Sequence, residues 1–263
     1  MKNPPRYQPV ACLLVIGNEV LSGRTQDANI KFLAEGLGAI GMPLREVRVI
    51  PDVRDTIIAT LNEVRAKFDH VFTTGGIGPT HDDITSECVA AAFGVPWVAH
   101  PEAWARLEAH YIARDGNTEA FNPARQRMAT MPQGATLIDN AVSIAPGFTM
   151  GNVHVMAGVP RIMQAMFATL APTLQGGEPV LSRTITGIGV MEGAIAAGLE
   201  AVQHDFPELD LGSYPFYRTK DGRGGGTAIV AKGTDREAID RAMARVAALM
   251  RGLGVEPIEG EVN

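Results

Sequence analysis

The sequence predicts an α/β fold, in which a doubly wound, mostly parallel sheet is followed by a small α+β domain. Apolar runs of strand length alternate with segments of helical periodicity from residue 10 to residue 91, the pattern of repeated βαβ units. The first run, Ala11 to Ile16, is apolar at every position, as expected of a central parallel strand that helices cover on both faces. After a break rich in Gly and Pro at residues 175–179 the order of elements changes, which indicates a second domain.

The first domain, predicted to span residues 1–174, begins with three strands and the helices between them. In chain order these are the strand Val10–Ile16, the helix Asn29–Leu37, the strand Leu44–Ile50, the helix Arg54–Lys67 and the strand His70–Thr73. The next helix has apolar side chains at Ile84, Cys88 and Ala91, which repeat at i, i+4 and i+7. Such sheets bind ligands beyond the carboxyl ends of their strands, so the loops 17–23 and 75–85 are expected to face one cleft.

The remainder of the first domain contains an insertion and a further strand. Residues 101–129 are helical by their pattern, with an interruption at Gly116, and are predicted to form an insertion that covers the cleft. Val153–Met156 is a predicted strand, and residues 157–160 lead from it into a helix. This turn is expected to form a third loop at the rim of the same cleft.

The second domain is predicted to span residues 180–263 and to have the order βαββα. Its predicted elements are the strand Arg183–Ile188, the helix Glu192–Gln203, the strands Asp210–Tyr217 and Thr227–Ala231, and the helix Asp235–Met250. This order resembles that of a small K-homology-like (KH-like) domain, with residues 222–226 as a hairpin tip. The unit has no stripe of Lys and Arg, so packing or dimerisation is favoured over RNA binding, and a homodimer or higher homo-oligomer is expected.

Composition and charge disfavour several classes of function. The 263 residues carry a formal net charge of -6, whereas a broad nucleic-acid surface needs clustered Lys and Arg, so nucleic acid is not an expected partner. No run approaches the roughly 20 apolar residues of a membrane helix, and Met1 to Arg6 lacks the pattern of a signal peptide. A cytoplasmic protein without a membrane partner is expected. Cys12 and Cys88 lie in apolar elements and are predicted to be buried, reduced thiols.

The segment from Thr73 to Thr85 predicts a phosphate site. Glycines at positions 75, 76 and 78 follow an apolar strand directly, and they permit both unusual backbone angles and a close approach of the main chain to a ligand. The free N–H groups at the start of the following helix attract anions. Asp82 and Asp83 add two carboxylates, which repel a phosphate unless a hard cation such as Mg²⁺ lies between them. The segment therefore predicts metal-assisted phosphate chemistry, with both acids as metal ligands.

A structural explanation of part of this segment stays open, because Thr80 and Asp83 have the spacing of a capping box, which requires no ligand. Other kinds of site lack their motifs. The sequence has no Gly-x-Ser-x-Gly elbow, no Walker turn, no Cys/His cluster of zinc type and no Rossmann glycine pattern after the first strand. Since no protein nucleophile is indicated, attack of a metal-polarised water on a nucleotide pyrophosphate is the leading hypothesis.

Further short motifs accompany the segment 73–85 in a fixed order from about residue 10 to about residue 250. They are residues 16–23, 27–29, 122–126, 145–148, 158–160 with Met163, 187–189 and 211–215. Together they resemble the molybdopterin-binding fold family (MoaB/Mog-like), and within it the amino-terminal region of the competence/damage-inducible CinA proteins. The bacterial CinA proteins usually have Lys where this chain has His81. The Thr-His-Asp-Asp form is more similar to the molybdopterin-binding-like region of eukaryotic flavin-adenine dinucleotide (FAD) synthases.

The resemblance implies ADP-ribose pyrophosphatase activity, with FAD as an alternative substrate. It also implies Mg²⁺ or another divalent cation as cofactor, with K⁺ as an option, and a nucleotide or pterin as the small-molecule partner. The implied catalytic residues are Asp82, Asp83 and His81, the last as a phosphate contact or proton donor. The implied substrate-binding residues are Gly17, Asn18, Glu19, Asn29, Thr74, Gly75, Gly76, Gly78, Pro79, Thr80, Thr85, Asn122, Arg125, Gly147, Gly158 and Pro160. By the same resemblance Arg125 ranks above Arg127.

Two other functions stay open at this point. The same anion site would serve a protein that binds molybdopterin or transfers adenylate onto it during cofactor assembly, although the additional small domain disfavours this. A non-catalytic binding or oligomerisation protein is the third alternative, because a sequence does not show whether two acids capture a metal ion. Full CinA proteins carry a nicotinamide-mononucleotide deamidase domain in addition, and deamidation is not expected of this sequence.

Overall fold

A computed structural model describes residues 8–218 and 224–261. The chain divides into two compact units, Met1–Glu178 and Pro179–Asn263. The strands of the first unit are β1 (Ala11–Ile16), β2 (Leu44–Ile50), β3 (His70–Thr74), β4 (Trp97–Ala99), β5 (Thr130–Pro132), β6 (Thr136–Ile138), β7 (Gly147–Met150) and β8 (Val153–Met156). Its helices are α1 (Asn18–Leu21), α2 (Asn29–Ala39), α3 (Arg54–Lys67), α4 (Thr85–Phe93), α5 (Pro101–Asp115), α6 (Pro123–Arg127) and α7 (Pro160–Leu170), with 3-10 turns at Thr118–Ala120 and Ala171–Thr173.

The main sheet of the first unit has the strand order β2-β1-β3-β8-β7-β6. The first four strands are parallel, and β7 and β6 add an antiparallel edge. This confirms the predicted α/β fold with a mostly parallel sheet. The register pairs Val15 with Thr74 and Thr74 with Met156. The carboxyl ends of β1, β3 and β8 therefore lie side by side at one edge of the sheet.

Helices cover both faces of this sheet, as the continuous apolar run in β1 predicts. Cys12, Leu14 and Ile16 face a core that contains residues of α3, α4 and α5, whereas Leu13 and Val15 face a second core with α2 and α7. Successive side chains of a strand point to opposite faces, so a strand buried on both must be apolar throughout. Within the described residues, no helix is both long enough and apolar enough to span a membrane.

The segment 101–129 differs from its predicted role as a cover for the cleft. α5 buries Ala103, Leu107 and Tyr111 in the same core as α3 and α4, so it packs against the body of the unit. A helix with three buried side chains on one face is held in place by that packing. Only the end of the segment, at Arg127 and Met128, reaches the carboxyl edge of the sheet.

Both cysteines are buried and free, as predicted. Burial raises the pKa of the Cys12 thiol and of the Cys88 thiol to about 11. A thiol with such a pKa is almost fully protonated at neutral pH, and the thiolate is the reactive form. Neither residue has the properties of a nucleophile.

The second unit contains β9 (Leu181–Ile188), α8 (Glu192–Asp205), β10 (Asp210–Arg218), β11 (Gly224–Gly233), α9 (Arg236–Gly252) and β12 (Ile258–Glu259). The strands form an antiparallel sheet of order β10-β11-β9-β12, whose core is shared with the two helices. The βαββα order is confirmed, and the two-residue β12 extends it. Residues 222 and 223 of the predicted hairpin tip lie outside the described residues, whereas 224–226 begin β11.

A pair of histidines, the buried His154 and the half-buried His70, joins three strands of the main sheet. His154 in β8 lies 3.0 Å (Nε2) from Nδ1 of His70 in β3, and its Nδ1 lies 2.9 Å from the hydroxyl of Thr149 in β7. Burial lowers the pKa of His154 to about 3 and also lowers the pKa of His70. Both rings are therefore neutral in the folded protein at neutral pH.

This pair predicts a loss of stability in mild acid. A histidine with a depressed pKa binds a proton more readily in the unfolded chain, so its contribution is complete above pH 6.5 and declines as the pH falls toward 3. One such group changes the free energy of unfolding by about 1.4 kcal/mol per pH unit in that window. We expect His154→Gln to reduce this slope in urea titrations between pH 7 and 4. An unchanged slope would contradict the assignment.

Candidate functional site

Three loops converge at the carboxyl edge formed by β1, β3 and β8. The loop after β3 is tied to β8 by a hydrogen bond from Gly75 N–H to the carbonyl of Met156, at 3.2 Å. The loop after β8 is tied to the start of α2, because the Asn29 side-chain amide donates to the carbonyl of Gly158 at 2.9 Å. The short helix α1 directly follows β1 and supplies Glu19. The predicted meeting of three sequence-distant loops is what the structure shows.

A cavity of about 520 Å³ lies between these loops. Its volume is within the range of about 300 to 1,000 Å³ that is typical of small-molecule sites. Its wall is mostly apolar, with glycine backbone and a few polar groups. The lining residues are Glu19, Thr25, Gly75, Gly76, Ile77, Gly78, Pro79, Asp83, Met128, Ser143, Ala145, Ala157, Gly158, Val159, Pro160, Ile162 and Met166.

The glycine loop presents free main-chain amides to this cavity. Gly75 and Gly76 have φ angles of 102° and 69°, in the region that favours glycine. Thr85 holds the loop from behind, since its hydroxyl donates to the Gly75 carbonyl and its N–H donates to the Gly76 carbonyl, both at 3.0 Å. Within the described residues, the N–H groups of Gly76, Ile77 and Gly78 have no protein acceptor. Successive unpaired amides of this kind form an anion-binding surface.

The acidic pair lies in a turn of its own rather than at the cap of a helix. α4 begins at Thr85 with Ile84 at its N-cap, so Thr80 does not cap it, and the Thr80–Asp83 spacing gives a local turn rather than a helix cap. Instead the Thr80 N–H donates to Asp83 Oδ2 at 2.8 Å, and the Asp83 N–H donates to the Thr80 carbonyl at 3.2 Å. The Thr80 hydroxyl lies 2.5 Å from a carboxylate oxygen of each acid, Asp82 and Asp83. Hydrogen bonding from this hydroxyl lowers the pKa of Asp82.

The three predicted catalytic residues differ in their relation to the cavity. Asp83 lines it. Asp82 is next to Asp83, but its side chain is 58% exposed and lies outside the lining. The His81 side chain is 98% exposed, and its Nδ1 lies 4.0 Å from a carboxylate oxygen of Asp82. Only Asp83 is thus in position to contact a group inside the cavity as the structure stands.

Asp52 is an acid of this region that the sequence analysis did not identify. It follows β2 and accepts a hydrogen bond from the Asn18 N–H at 2.8 Å. Its pKa is raised, mainly by burial and in addition by the nearby negative charges of Glu19 and Asp82. In the part of the chain that the structure describes, no Lys or Arg forms an ion pair with Glu19, Asp52, Asp82 or Asp83. These four acids, the acidic rim, concentrate negative charge beside the unpaired amides of the glycine loop.

The acidic rim fits a hard divalent cation that shares its ligands with a phosphate. Among residues 8–218 and 224–261, no three His, Cys, Asp or Glu side chains are grouped closely enough to hold a metal ion by themselves. The Thr80 hydroxyl has one proton for the two carboxylates in contact with it, so it donates to only one of them at a time. Mg²⁺ is commonly bound by one or two carboxylates together with substrate phosphates and water. The donor set matches that pattern.

Arg127 is the cation that the structure brings to this loop. Its Nη2 donates to the main-chain carbonyl of Asp83 at 3.1 Å, and its guanidinium lies 5.3 Å from the centre of the Trp97 ring. Its Nε is buried and has no partner among the described residues. In the sequence analysis the family resemblance placed Arg125 above it. Arg127 was missed because its contact with Asp83 joins residues that are 44 positions apart in the sequence.

Arg125 and Asn122 lie away from the cavity and stabilise the insertion. Arg125 pairs with Asp115 at 2.7 Å, donates to the Ala120 carbonyl at 2.6 Å, and has its guanidinium 4.1 Å from the centre of the Tyr111 ring. The Asn122 side chain caps α6 by accepting the Arg125 N–H at 3.1 Å. Neither residue lines the cavity, and these contacts account for both of them as structural residues.

The remaining predicted residues have positions around the loops. Gly158 lies against Gly75, since a Cβ built on it would be 3.2 Å from the Gly75 Cα, and Pro160 lines the cavity as the first residue of α7. Asn29 and Thr74 line a smaller adjoining cavity. Gly147 packs in the sheet, where a Cβ would approach the Val155 carbonyl to 2.4 Å. The other predicted residues lie on the loops after β1 and β3. Gly17 joins β1 to α1, and its N–H donates to the carbonyl of Ile50. Asn18 is the first residue of α1.

Comparison with known proteins gives two family matches, one for each unit. Residues 12–176 match the family described as "Probable molybdopterin binding domain". Residues 179–258 match the family described as the middle domain of FAD synthase. The first match spans more than half of the 263 residues.

Individual relatives give the same result. A protein of Pyrobaculum calidifontis is 35% identical over 79% of this chain and 81% of its own length. CinA-like proteins of Desulfosudis oleivorans and Parasynechococcus marenigrum are 35% and 34% identical, and the alignments cover 77% and 70% of this chain. The chain spans about half the length of these two CinA-like proteins, 51% and 46%.

Among solved structures, the first unit is similar to the CinA protein of Thermoplasma acidophilum, a protein described as of unknown function. The two share 30% sequence identity with a TM-score of 0.57, and the similarity covers 63% of this chain and 98% of that protein. Fold, loop positions and sequence therefore agree with the family matches. The chain belongs to the molybdopterin-binding domain family and is a relative of the CinA-like proteins.

Proposed function

We propose that the first unit is a metal-dependent nucleotide pyrophosphatase that hydrolyses ADP-ribose or a related dinucleotide such as FAD. One observation carries this proposal. Gly76, Ile77 and Gly78, whose amides are unpaired, line the same cavity as Asp83, and within the described residues no Lys or Arg forms an ion pair with the acidic rim. A phosphate bound to the amides would meet negative charge at once, which favours a ligand that arrives together with a cation.

Each part of the site has its own role in binding the ligand. The amides at 76–78 hold one phosphate of the diphosphate, and the apolar wall formed by Met128, Ile162 and Met166 contacts a base or sugar face. Asp83 and Asp82 are the side chains that would hold Mg²⁺ or another divalent cation. When bound, such a cation neutralises phosphate charge and makes a water molecule more acidic. His81 on the same exposed turn is assigned to a phosphate contact or to proton donation.

The reaction adds one water molecule across the phosphoric anhydride. The water oxygen bonds to one phosphorus atom, the P–O bond to the bridging oxygen breaks, and that oxygen leaves with the other phosphate. ADP-ribose gives AMP and ribose 5-phosphate, and two protons are released to solvent when both product phosphates are fully ionised. Positioning and charge stabilisation are the protein's main contributions to such a step.

A second candidate function is supported by the family match to a molybdopterin-binding domain. A pterin phosphate, or the adenylate transferred onto it, carries the same anionic group that the glycine loop is built to receive. The two proposals share the binding loop and differ in the bond that is made or broken. Analysis of the reaction products therefore distinguishes the two proposals, whereas a binding measurement does not.

The test uses the full chain with each substrate under the same conditions. Purified protein is mixed with Mg²⁺, Co²⁺ or K⁺ and with ADP-ribose, FAD or molybdopterin plus ATP, and the products are separated by chromatography. AMP from ADP-ribose or FAD supports the pyrophosphatase, whereas adenylated molybdopterin supports the alternative. Absence of every product with every cation would refute both activities.

Arg127 provides a prediction about the support of the loop. We expect Arg127→Met to weaken binding of Mg²⁺–ADP-ribose by about tenfold, because the variant removes the charged donor to the Asp83 carbonyl while it keeps the aliphatic stem. Calorimetric titration measures the affinity. Arg65→Met is the matched control: Arg65 donates to the Ala92 carbonyl at 3.0 Å beside the Phe93 ring, outside the cavity lining. Equal affinities of the two variants would contradict this role of Arg127.

A further inference from the structure

A second, smaller cavity of about 50 Å³ adjoins the large one beside the first turn of α2. Both cavities are lined by Glu19, Thr25, Gly158 and Pro160, so a molecule in the large cavity has direct access to the small one. The rest of the wall is formed by Val15, Ile16, Val20, Gln26, Asp27, Ala28, Asn29 and Thr74. A space of this size admits a few non-hydrogen atoms.

Two buried oxygen atoms in this wall have no hydrogen-bond partner. They are Oδ1 of Asn29 and Oγ1 of Thr74, in residues that are only 3% and 1% exposed. The orientation of the Asn29 amide follows from its environment, because the side-chain nitrogen donates to the Gly158 carbonyl at 2.9 Å. The oxygen is therefore the free atom. Buried polar atoms are nearly always paired in folded proteins, so two such atoms in one cavity indicate a missing partner.

The chemistry of the wall defines that partner as a hydrogen-bond donor. Asn29 Oδ1 accepts only, the Thr74 hydroxyl can accept, and the Glu19 carboxylate adds negative charge. No Lys or Arg lines the cavity. The first amides of α2 are already satisfied, since Asp27 Oδ1 accepts the N–H groups of Asn29 and Ile30 at 2.9 and 2.8 Å. The two unpartnered oxygens and the Glu19 carboxylate favour a hydroxyl group, which can donate a hydrogen bond, over a phosphate group, which brings only acceptors and further negative charge.

We propose that the small cavity is a subsite for a hydroxyl group of the terminal sugar of the ligand, the sugar joined to the diphosphate on the side away from adenosine. The inference rests on the proposed function, because it takes the glycine loop to hold the phosphates. The glycine loop and the subsite then bind two neighbouring groups of the same ligand, the diphosphate and the sugar hydroxyl. Asn29 and Thr74 become specificity residues, which select a hydroxylated sugar over its deoxy counterpart.

Neighbouring threonines in β3 provide a matched pair of variants. Thr73 Oγ1 is also buried and unpartnered, but Thr73 is outside the lining of the small cavity. Consecutive strand residues face opposite sides of the sheet, which explains the difference. Thr74→Val and Thr73→Val make the same chemical change in the same strand, and only the first removes a hydroxyl from the subsite. Thr74→Ser keeps the hydroxyl and removes a methyl group.

The experiment measures dissociation constants of ADP-ribose and of inorganic pyrophosphate, both with Mg²⁺, by calorimetry on the full chain. We expect Thr74→Val to weaken ADP-ribose binding about tenfold, the usual effect of losing one hydrogen bond, and to leave pyrophosphate binding within about twofold. Thr73→Val and Thr74→Ser should match the wild-type protein. Thermal unfolding verifies that each variant is folded.

A second arm does not depend on any variant. The wild-type protein should bind an ADP-ribose analogue without the 2- and 3-hydroxyls of the terminal sugar at least about tenfold more weakly than ADP-ribose. Equal affinity for the two compounds, or a Thr74→Val protein that binds ADP-ribose like the Thr73→Val protein, overturns the subsite. Weakened binding of pyrophosphate by Thr74→Val overturns it also, by showing a disturbed loop. Wild-type protein that binds neither ADP-ribose nor FAD refutes the proposed function instead.

Discussion

Replacement of Asp82 and Asp83 together by Asn is expected to lower pyrophosphate hydrolysis by at least about 100-fold. Asn keeps the shape of each side chain and an oxygen for the Thr80 hydroxyl, but it removes both negative charges from the turn. Without these charges the turn loses its affinity for a divalent cation, and the diphosphate loses its charge compensation. Product formation from ADP-ribose is measured at several Mg²⁺ concentrations.

The two single variants should differ, because only Asp83 lines the cavity. We expect Asp83→Asn to account for most of the loss, and the exposed Asp82 to contribute less. Glu35→Gln is the control, since Glu35 is an exposed acid of α2 that pairs with Lys31 at 3.8 Å. Turnover by the double variant at the wild-type rate would refute the assignment of both acids as metal ligands.

Gly75→Ala is expected to lower the free energy of unfolding of the first unit by at least about 3 kcal/mol. Gly75 has a φ angle of 102°, and a Cβ at this position would lie 2.1 Å from the main-chain carbonyl oxygen of Ile16. That oxygen belongs to the central strand β1, so the clash cannot be relieved without a shift of the sheet. The unfavourable φ angle and the clash with the backbone of β1 therefore both destabilise the folded Gly75→Ala protein.

Gly94→Ala is the matched control for this substitution. Gly94 also has a positive φ, 66°, but a Cβ there would have no neighbour within 4 Å. The expected cost is about 1 kcal/mol, the strain of the left-handed conformation alone. Both tryptophans, Trp97 and Trp104, belong to the first unit, so their fluorescence in urea follows the unfolding of that unit. Equal losses in the two variants would show that the contact between the loop and β1 does not constrain the glycine.

The strands and helices of the parallel core could be predicted because each has a local pattern. The six apolar residues of β1 and the helical repeat at Ile84, Cys88 and Ala91 correspond to elements of the structure. The antiparallel edge could not be predicted in the same way. β6 and β7 have three and four residues, and β4 and β5 have three each, so none is long enough for a periodic pattern.

The candidate site shows the same division. The Gly-rich loop and the acids at 82 and 83 are contiguous in sequence, and the chemistry of those residue types pointed to a phosphate and a cation. Asp52 and Arg127 are not contiguous with the loop. Asp52 contacts a residue 34 positions earlier, and Arg127 contacts Asp83 across 44 positions. The family resemblance placed Arg125 first, although its guanidinium is bound within the insertion.

By itself the sequence determined the α/β class, the βαββα order of the second unit and the loop that combines glycines with two acids, because each depends on neighbours within one turn or strand. Tertiary structure decided which side chains share the cavity. The register of β1, β3 and β8 brings their ends together, and it sets Asn29 within 2.9 Å of Gly158 across 129 residues. Such contacts depend on how strands pair and helices pack over long distances, and no local pattern of residues specifies them.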